Sequence, residues 1–361
     1  MQEKFKVGVI GGTGYVGQRF ITILDNHPWF EVNAIMASPK SAGKTYEEAV
    51  KGKWKIEEPI PENIKKLVVW SIEDIEEMCK LVDFVFCAVD MKKDEIRKLE
   101  ERIAQTETPV ISNNSAHRWT KDVPVIIPEI NPEHSDIIDE QKKRLKTEKG
   151  FIVAKPNCSI QSYVPALHAL KEFGIDLISV CTYQAISGAG KTFEDWPEMT
   201  SNVIPYIGGE EEKSEKEPLK IWGKVEDGEI KTASSPTISA QCYRVAVQEG
   251  HTAAVSVKFK NKPTVDQIIT CWKNFKGEPQ ILNLPTAPEQ FLNYMSEDNR
   301  PQAKLDCDFG NGMSVSIGRL RDDAIFDYKF TCLSHNTKRG AAGGAVLTAE
   351  LLVSKGYITK K

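Results

Sequence analysis

The segment Pro156-Asn157-Cys158-Ser159-Ile160 is where this 361-residue chain could make a nucleophile. A thiol reacts as its thiolate, and the free N–H groups and dipole at a helix N-terminus favour that anion and can also receive an oxyanion. Apolar spacing over residues 160–173 predicts a helix, which puts Cys158 at its start. The other seven cysteines (Cys79, Cys87, Cys181, Cys242, Cys271, Cys307 and Cys332) read as small buried hydrophobes. None forms a Cys-x-x-Cys pair, so neither a zinc ribbon nor a redox dithiol is expected, and the expected metal count is none. The spread of eight cysteines in a chain too large to need disulfide staples points to a reduced, cytoplasmic setting.

A nucleophilic thiol needs an acid/base partner, and six histidines are available. His27 precedes a turn proline, His134 follows Asn131-Pro132 at a helix start, and His168 lies within a helical pattern. His251, His117 and His335 remain open. His251 lies downstream of Arg244 in the segment 242–252, and the two bracket a short strand, so both could face one site.

Gly12-Thr13-Gly14-Tyr15-Val16-Gly17, with Gly11 before it, fits G-x-G-x-x-G between a strand and a helix. There glycines permit a tight turn, close approach of backbone to a pyrophosphate and packing of helix on sheet, so the loop is read as a dinucleotide cradle. An NAD site would place an acidic residue about 20 positions on. This chain instead has Ala37-Ser38-Pro39-Lys40-Ser41-Ala42-Gly43-Lys44, hydroxyls and lysines that suit a 2′-phosphate, and NADP is the expected cofactor. Ser187-Gly188-Ala189-Gly190-Lys191-Thr192 imitates the end of a P-loop but has Ala185 where that pattern needs glycine, which argues against a nucleotide triphosphatase.

The elements that must position these residues change character along the chain. Up to about residue 155, short β-branched runs at 5–10, 31–37, 67–70, 83–89, 109–112 and 151–154 alternate with helical patterns at 14–26, 71–80 and 92–105, the signature of a Rossmann-type doubly wound parallel sheet. Beyond it, strands at 177–186, 243–247, 251–259, 313–317 and 325–331 alternate polar with apolar residues, which suits a mostly antiparallel sheet with one covered face in an α+β domain. The charge run 208–220 reads as a solvated helix or loop, and the stretch 340–361 as an Ala-rich amphipathic helix with a lysine tail.

Length implies two domains. The formal charge of −4 supplies no general attraction for nucleic acid or an anionic membrane, so any anion site must be local. The first nine residues carry charges and run directly into a strand, with no leader pattern expected, and no apolar run approaches membrane-spanning length.

Taken together, the 11–17 loop, 38–44, Ser112 to Arg118 (SNNSAHR), Asn157-Cys158-Ser159, 183–190, 208–213, 244–251 and Asn336 to Gly344 (NTKRGAAGG) resemble the aspartate-β-semialdehyde dehydrogenases, especially their archaeal and fungal branch, over nearly the whole chain. The resemblance implies reversible, NADPH-dependent conversion of L-aspartyl-4-phosphate to aspartate semialdehyde and phosphate, a step of lysine, threonine and methionine biosynthesis. It implies that Cys158 forms a thioester, that His251 is its acid/base partner, that Gln184 orients and that Asn157 steadies the oxyanion. It implies that Arg244 grips the substrate α-carboxylate, that Glu210, or else Glu211, holds the α-amino group, and that Lys213 and Arg118 receive phosphate. Gly11, Thr13, Gly14, Tyr15, Val16, Ser38, Lys40, Ser41, Ser187, Gly188 and Asn336 would meet the cofactor. It further implies an NADP-binding domain of residues 1–156 and 336–361, a catalytic and dimerisation domain of 157–335, and a homodimer or homotetramer. Rival expectations are a malonyl-CoA reductase, whose substrate lacks an α-amino group, and a non-catalytic NADP-binding sensor.

Overall fold

In a computed structural model, residues 3–361 are described; the first two residues of the N-terminal stretch read above lie outside them. Six strands, β1 (Phe5–Ile10), β2 (Phe30–Ala37), β3 (Val69–Ser71), β4 (Phe84–Cys87), β5 (Val110–Ser112) and β6 (Ile152–Ala154), form a parallel sheet in the order β3-β2-β1-β4-β5-β6. Burial on both faces explains why they read as continuous apolar runs. The strand order reverses between β1 and β4, and such a switch point opens a crevice at the strands' carboxyl ends. The glycine loop lies there.

The helix Lys93–Gln105 shows why the charged patterns fold onto this sheet: Ile96, Leu99, Glu100, Ile103 and Ala104 recur at helical spacing and are its buried residues. The helix after the glycine loop runs from Tyr15 to Ile23, shorter than the 14–26 expected, and Phe20 stacks on Phe86 of β4 at 4.5 Å. The 71–80 pattern divides into a 3₁₀ turn, Ile72–Asp74, and a short helix, Ile75–Cys79.

The second sheet contains β7 (Ile175–Gln184), β8 (Val203–Ile204), β11 (Thr237–Val245), β12 (His251–Phe259), β13 (Leu292–Met295), β14 (Val315–Asp322) and β15 (Tyr328–Ser334), in the order β13-β14-β15-β12-β7-β11-β8. The remaining strands, β9 (Lys224–Glu226) and β10 (Glu229–Lys231), make a separate antiparallel pair. Pairing is mixed: β7 with β11 and β13 with β14 are parallel and the rest antiparallel. One face is covered by core residues such as Val180, Val255 and Phe330, whereas Leu177 and Tyr183 on the other face of β7 are exposed.

Three expectations about helices are corrected. Cys158 does not start a continuous helix over 160–173; it is followed by a 3₁₀ turn, Ser159–Ser162, the five-residue helix Val164–His168 and another 3₁₀ turn, Lys171–Phe173. The charge run forms the helix Glu210–Ile221, which is not a solvated one, because Glu210, Ser214, Glu217, Lys220 and Ile221 are buried along one side. The C-terminal stretch is not amphipathic: a π-turn, Lys338–Ala342, leads into the helix Gly343–Ser354, buried continuously from Gly343 to Leu352. That last helix packs with Val7, Phe20, Phe84 and Ile111, so the chain's end returns to the parallel sheet.

Candidate active site

Strand order in the second sheet assembles the site. Arg244 of β11 pairs with Gln184 of β7, and on β7's other edge Tyr183 pairs with Thr252 of β12, immediately after His251. The central strand therefore puts Gln184 between Arg244 and His251, which are seven residues apart in sequence but on strands that are not neighbours. Cys158 arrives from β6 through the Lys155-Pro156-Asn157 connection, and His251 Nε2 lies 3.4 Å from its Sγ. His117 and His335 do not share this geometry. His117 is held by Thr120 and the carbonyl of Arg97, and His335 faces Thr337, Lys338 and Asp308.

His251 Nδ1 accepts the Ala185 N–H at 3.1 Å, so the neutral ring carries its proton on Nε2, facing the sulfur. Complete burial, then the charge of Arg244, push its pKa well down and keep it neutral. The resting ring is thus set as a donor towards Sγ and whatever adduct the sulfur carries. Glycine at 188 lets the following loop cross this group closely: a Cβ there would lie 2.9 Å from Arg244 Nη1 and 3.0 Å from His251 Cε1.

The helix Glu210–Ile221 supplies the far wall. Glu210 accepts from both Asn157 Nδ2, at 3.0 Å, and Gln184 Nε2, at 3.2 Å, and pairs with Lys213 at 2.7 Å. Burial acts to raise the Glu210 pKa, but Lys213 and the Gln184 and Asn157 donors overcome it, leaving a carboxylate below its usual range. Glu211 is exposed and accepts instead from the Cys242 N–H, so among the two glutamates it is Glu210 that joins this group. Two helical turns further, Glu217 pairs with Arg118 at 2.8 Å and accepts the Asn157 N–H at 2.7 Å. Asn157 Oδ1 caps the turn behind Cys158 by accepting the Ser159 N–H.

Around the sulfur, burial first and Glu210 second raise the Cys158 pKa, against the opposing pull of Lys155, Arg244 and Arg118. The expectation of a thiol favoured as thiolate by a helix dipole is corrected: the dipole of the single 3₁₀ turn after Cys158 is small, and burial dominates. Three buried cations lack a carboxylate partner among the described residues: Arg244, which donates to the Ala185 carbonyl at 2.7 Å, Lys155, which donates to the Pro156 carbonyl at 3.0 Å, and, further from the sulfur, Lys220, which donates to the carbonyls of Arg118, Thr120 and Val123. Burial lowers the Lys155 pKa to about 7. The sequence reading missed Lys155, and it missed Glu217 and Glu249: Lys155 stands just before the cysteine segment and Glu249 between Arg244 and His251 without a spacing that marks either, and Glu217 reads as one more residue of a solvated charge run.

Across the molecule, Gly11, Thr13, Gly14, Ser38 and Ala88 to Met91 line a cleft of about 390 Å³ at the switch point. Gly11 has φ +82°, and a Cβ there would fall 2.2 Å from the Ala88 carbonyl oxygen; a Cβ on Gly17 would fall 2.2 Å from that of Gly11. At Gly14 the nearest atom to such a Cβ is 3.5 Å away, which leaves that side of the cradle open for a phosphate. Ser38 and Lys40 are exposed and Ser41 is buried in the turn after β2, which contains no carboxylate; the exposed Asp90 lines the opposite side of the cleft. Val16 is half-buried at the helix start, while Tyr15, Ser187 and Asn336 form a third group: Tyr15 and Ser187 each bond Glu249 at 2.8 Å, and Asn336 donates to Ser187 at 2.7 Å.

Comparison with known proteins agrees over both halves. Residues 6–138 match the semialdehyde dehydrogenase NAD binding domain, and residues 166–339 the semialdehyde dehydrogenase dimerisation domain. The aspartate-semialdehyde dehydrogenase of Archaeoglobus fulgidus is 41% identical over 98% of this chain and 100% of its own length. That of Saccharomyces cerevisiae is 40% identical over 99% of this chain and 100% of its own. The crystal structure of the Candida albicans aspartate semialdehyde dehydrogenase with NADP superposes with a TM-score of 0.88 at 39% identity, covering 99% of this chain and 100% of that one. Likeness of this extent, over a site whose parts come from both sheets, means that the chain belongs to the aspartate-semialdehyde dehydrogenase family.

Proposed function

We propose that this protein catalyses the reversible, NADPH-dependent reduction of L-aspartyl-4-phosphate to L-aspartate-4-semialdehyde with release of phosphate. The 3.4 Å approach of His251 Nε2 to Cys158 Sγ, beside the unpaired Arg244, carries this reading. Arg244 receives the α-carboxylate as a two-pronged pair, and ionised Glu210 holds the α-amino group. Lys213 and Arg118 stand ready for the phosphoryl oxygens, although both are engaged by carboxylates at rest.

Cys158 attacks the acyl carbon and phosphate leaves, taking up the thiol proton as it departs and giving a thioester on the sulfur. Bound NADPH supplies a hydride to that carbon. The Nε2–H of His251 then faces the oxygen of the thiohemiacetal, the donor half of an acid/base role, and collapse releases the aldehyde and restores the sulfur. Gln184 orients the acyl group, and the Asn157 amide, which Glu210 occupies at rest, steadies the oxyanion. The Lys155 ammonium offsets the thiolate charge. The Gly11, Thr13, Gly14 and Val16 backbone with Ser38, Lys40 and Ser41 binds the dinucleotide and its 2′-phosphate, and Tyr15, Ser187, Gly188 and Asn336 meet its nicotinamide end.

Residues 1–156 with 336–361 serve as the cofactor domain and 157–335 as the catalytic domain. The exposed face of the second sheet, with Tyr183 and Tyr243 rings stacked at 6.0 Å, supports a homodimer, or a homotetramer built from it. All eight cysteines are free, which supports a cytoplasmic location; no helix among the described residues is long and apolar enough to cross a membrane. The product serves amino-acid biosynthesis.

Neither rival reading finds support among the relatives and solved structures. Glu210 has no ligand partner in malonyl-CoA, and a sensor needs no nucleophile, donor and carboxylate clamp together. The test is phosphate-dependent NADPH formation from aspartate semialdehyde, run beside malonyl-CoA with NADPH. Activity is expected in the first assay, and activity only in the second overturns the proposal.

A further inference from the structure

Glu249 has no place in the chemistry just described, yet it gathers more polar partners than any residue in that scheme. Its Oε1 accepts from Tyr15 Oη at 2.8 Å, from Thr337 Oγ1 at 3.3 Å and from Arg19 Nη2 at 3.4 Å. Its Oε2 accepts from Ser187 Oγ at 2.8 Å. Tyr15 and Arg19 belong to the helix that follows the glycine loop of the parallel sheet; Ser187 belongs to the loop after β7, and Thr337 to the segment that follows β15. One carboxylate therefore joins three strands' worth of separate chain to the cofactor-binding helix.

The bonds also close on themselves. Ser187 Oγ donates to Glu249 and accepts from Asn336 Nδ2 at 2.7 Å, and Asn336 Oδ1 accepts the Gly250 N–H at 2.8 Å. Gly250 follows Glu249 directly, so the ring is completed by one peptide bond, and the next residue is His251. Tyr15, Ser187 and Asn336, the three side chains assigned above to the nicotinamide end, are all members of this ring or bonded to it. Burial is the main influence raising the Glu249 pKa, yet the donors it accepts from suit a carboxylate.

We propose that Glu249 is a positioning residue that locks the cofactor-binding helix to the His251 strand, fixing the distance between the nicotinamide and the carbon held on Cys158. It touches none of the reacting atoms. Its effect falls on hydride transfer, because a misplacement of about 1 Å between reacting groups costs about 10²-fold in rate. The nucleophile keeps its own supports when the lock is lost, since the Asn157 turn and the Glu210–Ile221 helix hold Cys158 and the Ala185 N–H holds His251 beside it. This inference rests on the reaction proposed above.

The experiment compares wild type, Glu249→Ala and Glu249→Gln in the phosphate-dependent oxidation of aspartate semialdehyde, using substrate with hydrogen or deuterium on the aldehyde carbon. For Glu249→Ala, kcat should fall about 10- to 100-fold with a larger deuterium isotope effect than wild type. KM for phosphate and the rate of Cys158 carbamidomethylation should stay within about twofold. Glu249→Gln keeps one acceptor oxygen and should recover part of the loss. An unchanged kcat overturns the proposal, as does a fall in kcat with an unchanged isotope effect and a matching loss of reactive Cys158, the sign of mere unfolding. Should wild type itself show no turnover, the reaction reading fails and the lock is read from NADPH affinity: binding about fivefold weaker in Glu249→Ala supports it, and equal binding overturns it.

Discussion

The two sheets build their sites in different ways. In the parallel half the cofactor cleft is made by backbone: the four-residue loop Gly11–Gly14 leaves β1, and Gly11, with Gly17 in the helix that follows, lets the turns close because no Cβ intervenes. In the mixed half the site is made by side chains that converge from six segments, two of them, at Arg118 and at Lys155 to Cys158, reaching in from the parallel half, and the strand order β11-β7-β12 decides how Arg244, Gln184 and His251 meet. A backbone site is local in sequence and tolerant of side-chain change. A side-chain site is dispersed, and each member has a separate function that can be lost.

That contrast can be broken most forcefully at the sulfur. Cys158→Ala should lower turnover at least about 10³-fold and leave NADPH affinity within about twofold; parallel loss of NADPH binding, measured by fluorescence titration, would mean that the two sites are not separable. Next in size is Arg244→Lys. It keeps the charge but not the planar fork, so kcat/KM for aspartate semialdehyde should fall about 100-fold while the alkylation rate of Cys158 changes little.

Lys155 offers a pH-dependent version of the comparison. Its pKa is lowered to about 7 in the folded chain from an ordinary value of 10.5, so between these values the unfolded chain binds more protons and stability rises with pH. Lys155→Met removes a cost that is largest at and below pH 7. The variant should therefore be more stable than wild type at pH 7, and the gain should shrink as pH rises towards 10. Urea melts at several pH values measure this; a gain that grows with pH contradicts the assignment. The smallest effect belongs to the backbone site, where Ser38→Asp should shift preference from NADP towards NAD by about tenfold, read from the ratio of kcat/KM values.

The catalytic half was legible in its members and not in their arrangement. Arg244 and His251 were read as bracketing one short strand, whereas β11 and β12 are separated by β7, which brings Gln184 between them. The charge run 208–220 gave no hint that Glu210, Ser214 and Glu217 share a buried side, because acidic residues on a helix are ordinarily solvated. The Ala-rich C-terminus was misread for the opposite reason: small residues let a helix pack closely on all sides, so its burial leaves no polar stripe in the sequence.

By itself the sequence determined what depends on neighbours along the chain: the alternation that makes a parallel sheet, the glycines that shape the cradle after β1, the missing acid after β2, and a cysteine in a turn between strand and helix. Only the tertiary structure decided which histidine meets that cysteine and with which proton facing it, since the Ala185 N–H that fixes the ring is 66 residues away. Charge followed the same division. The glutamates and lysines are visible in the sequence, but burial and pairing, which depend on how distant segments pack, set Glu210 low and leave Lys155 without a carboxylate.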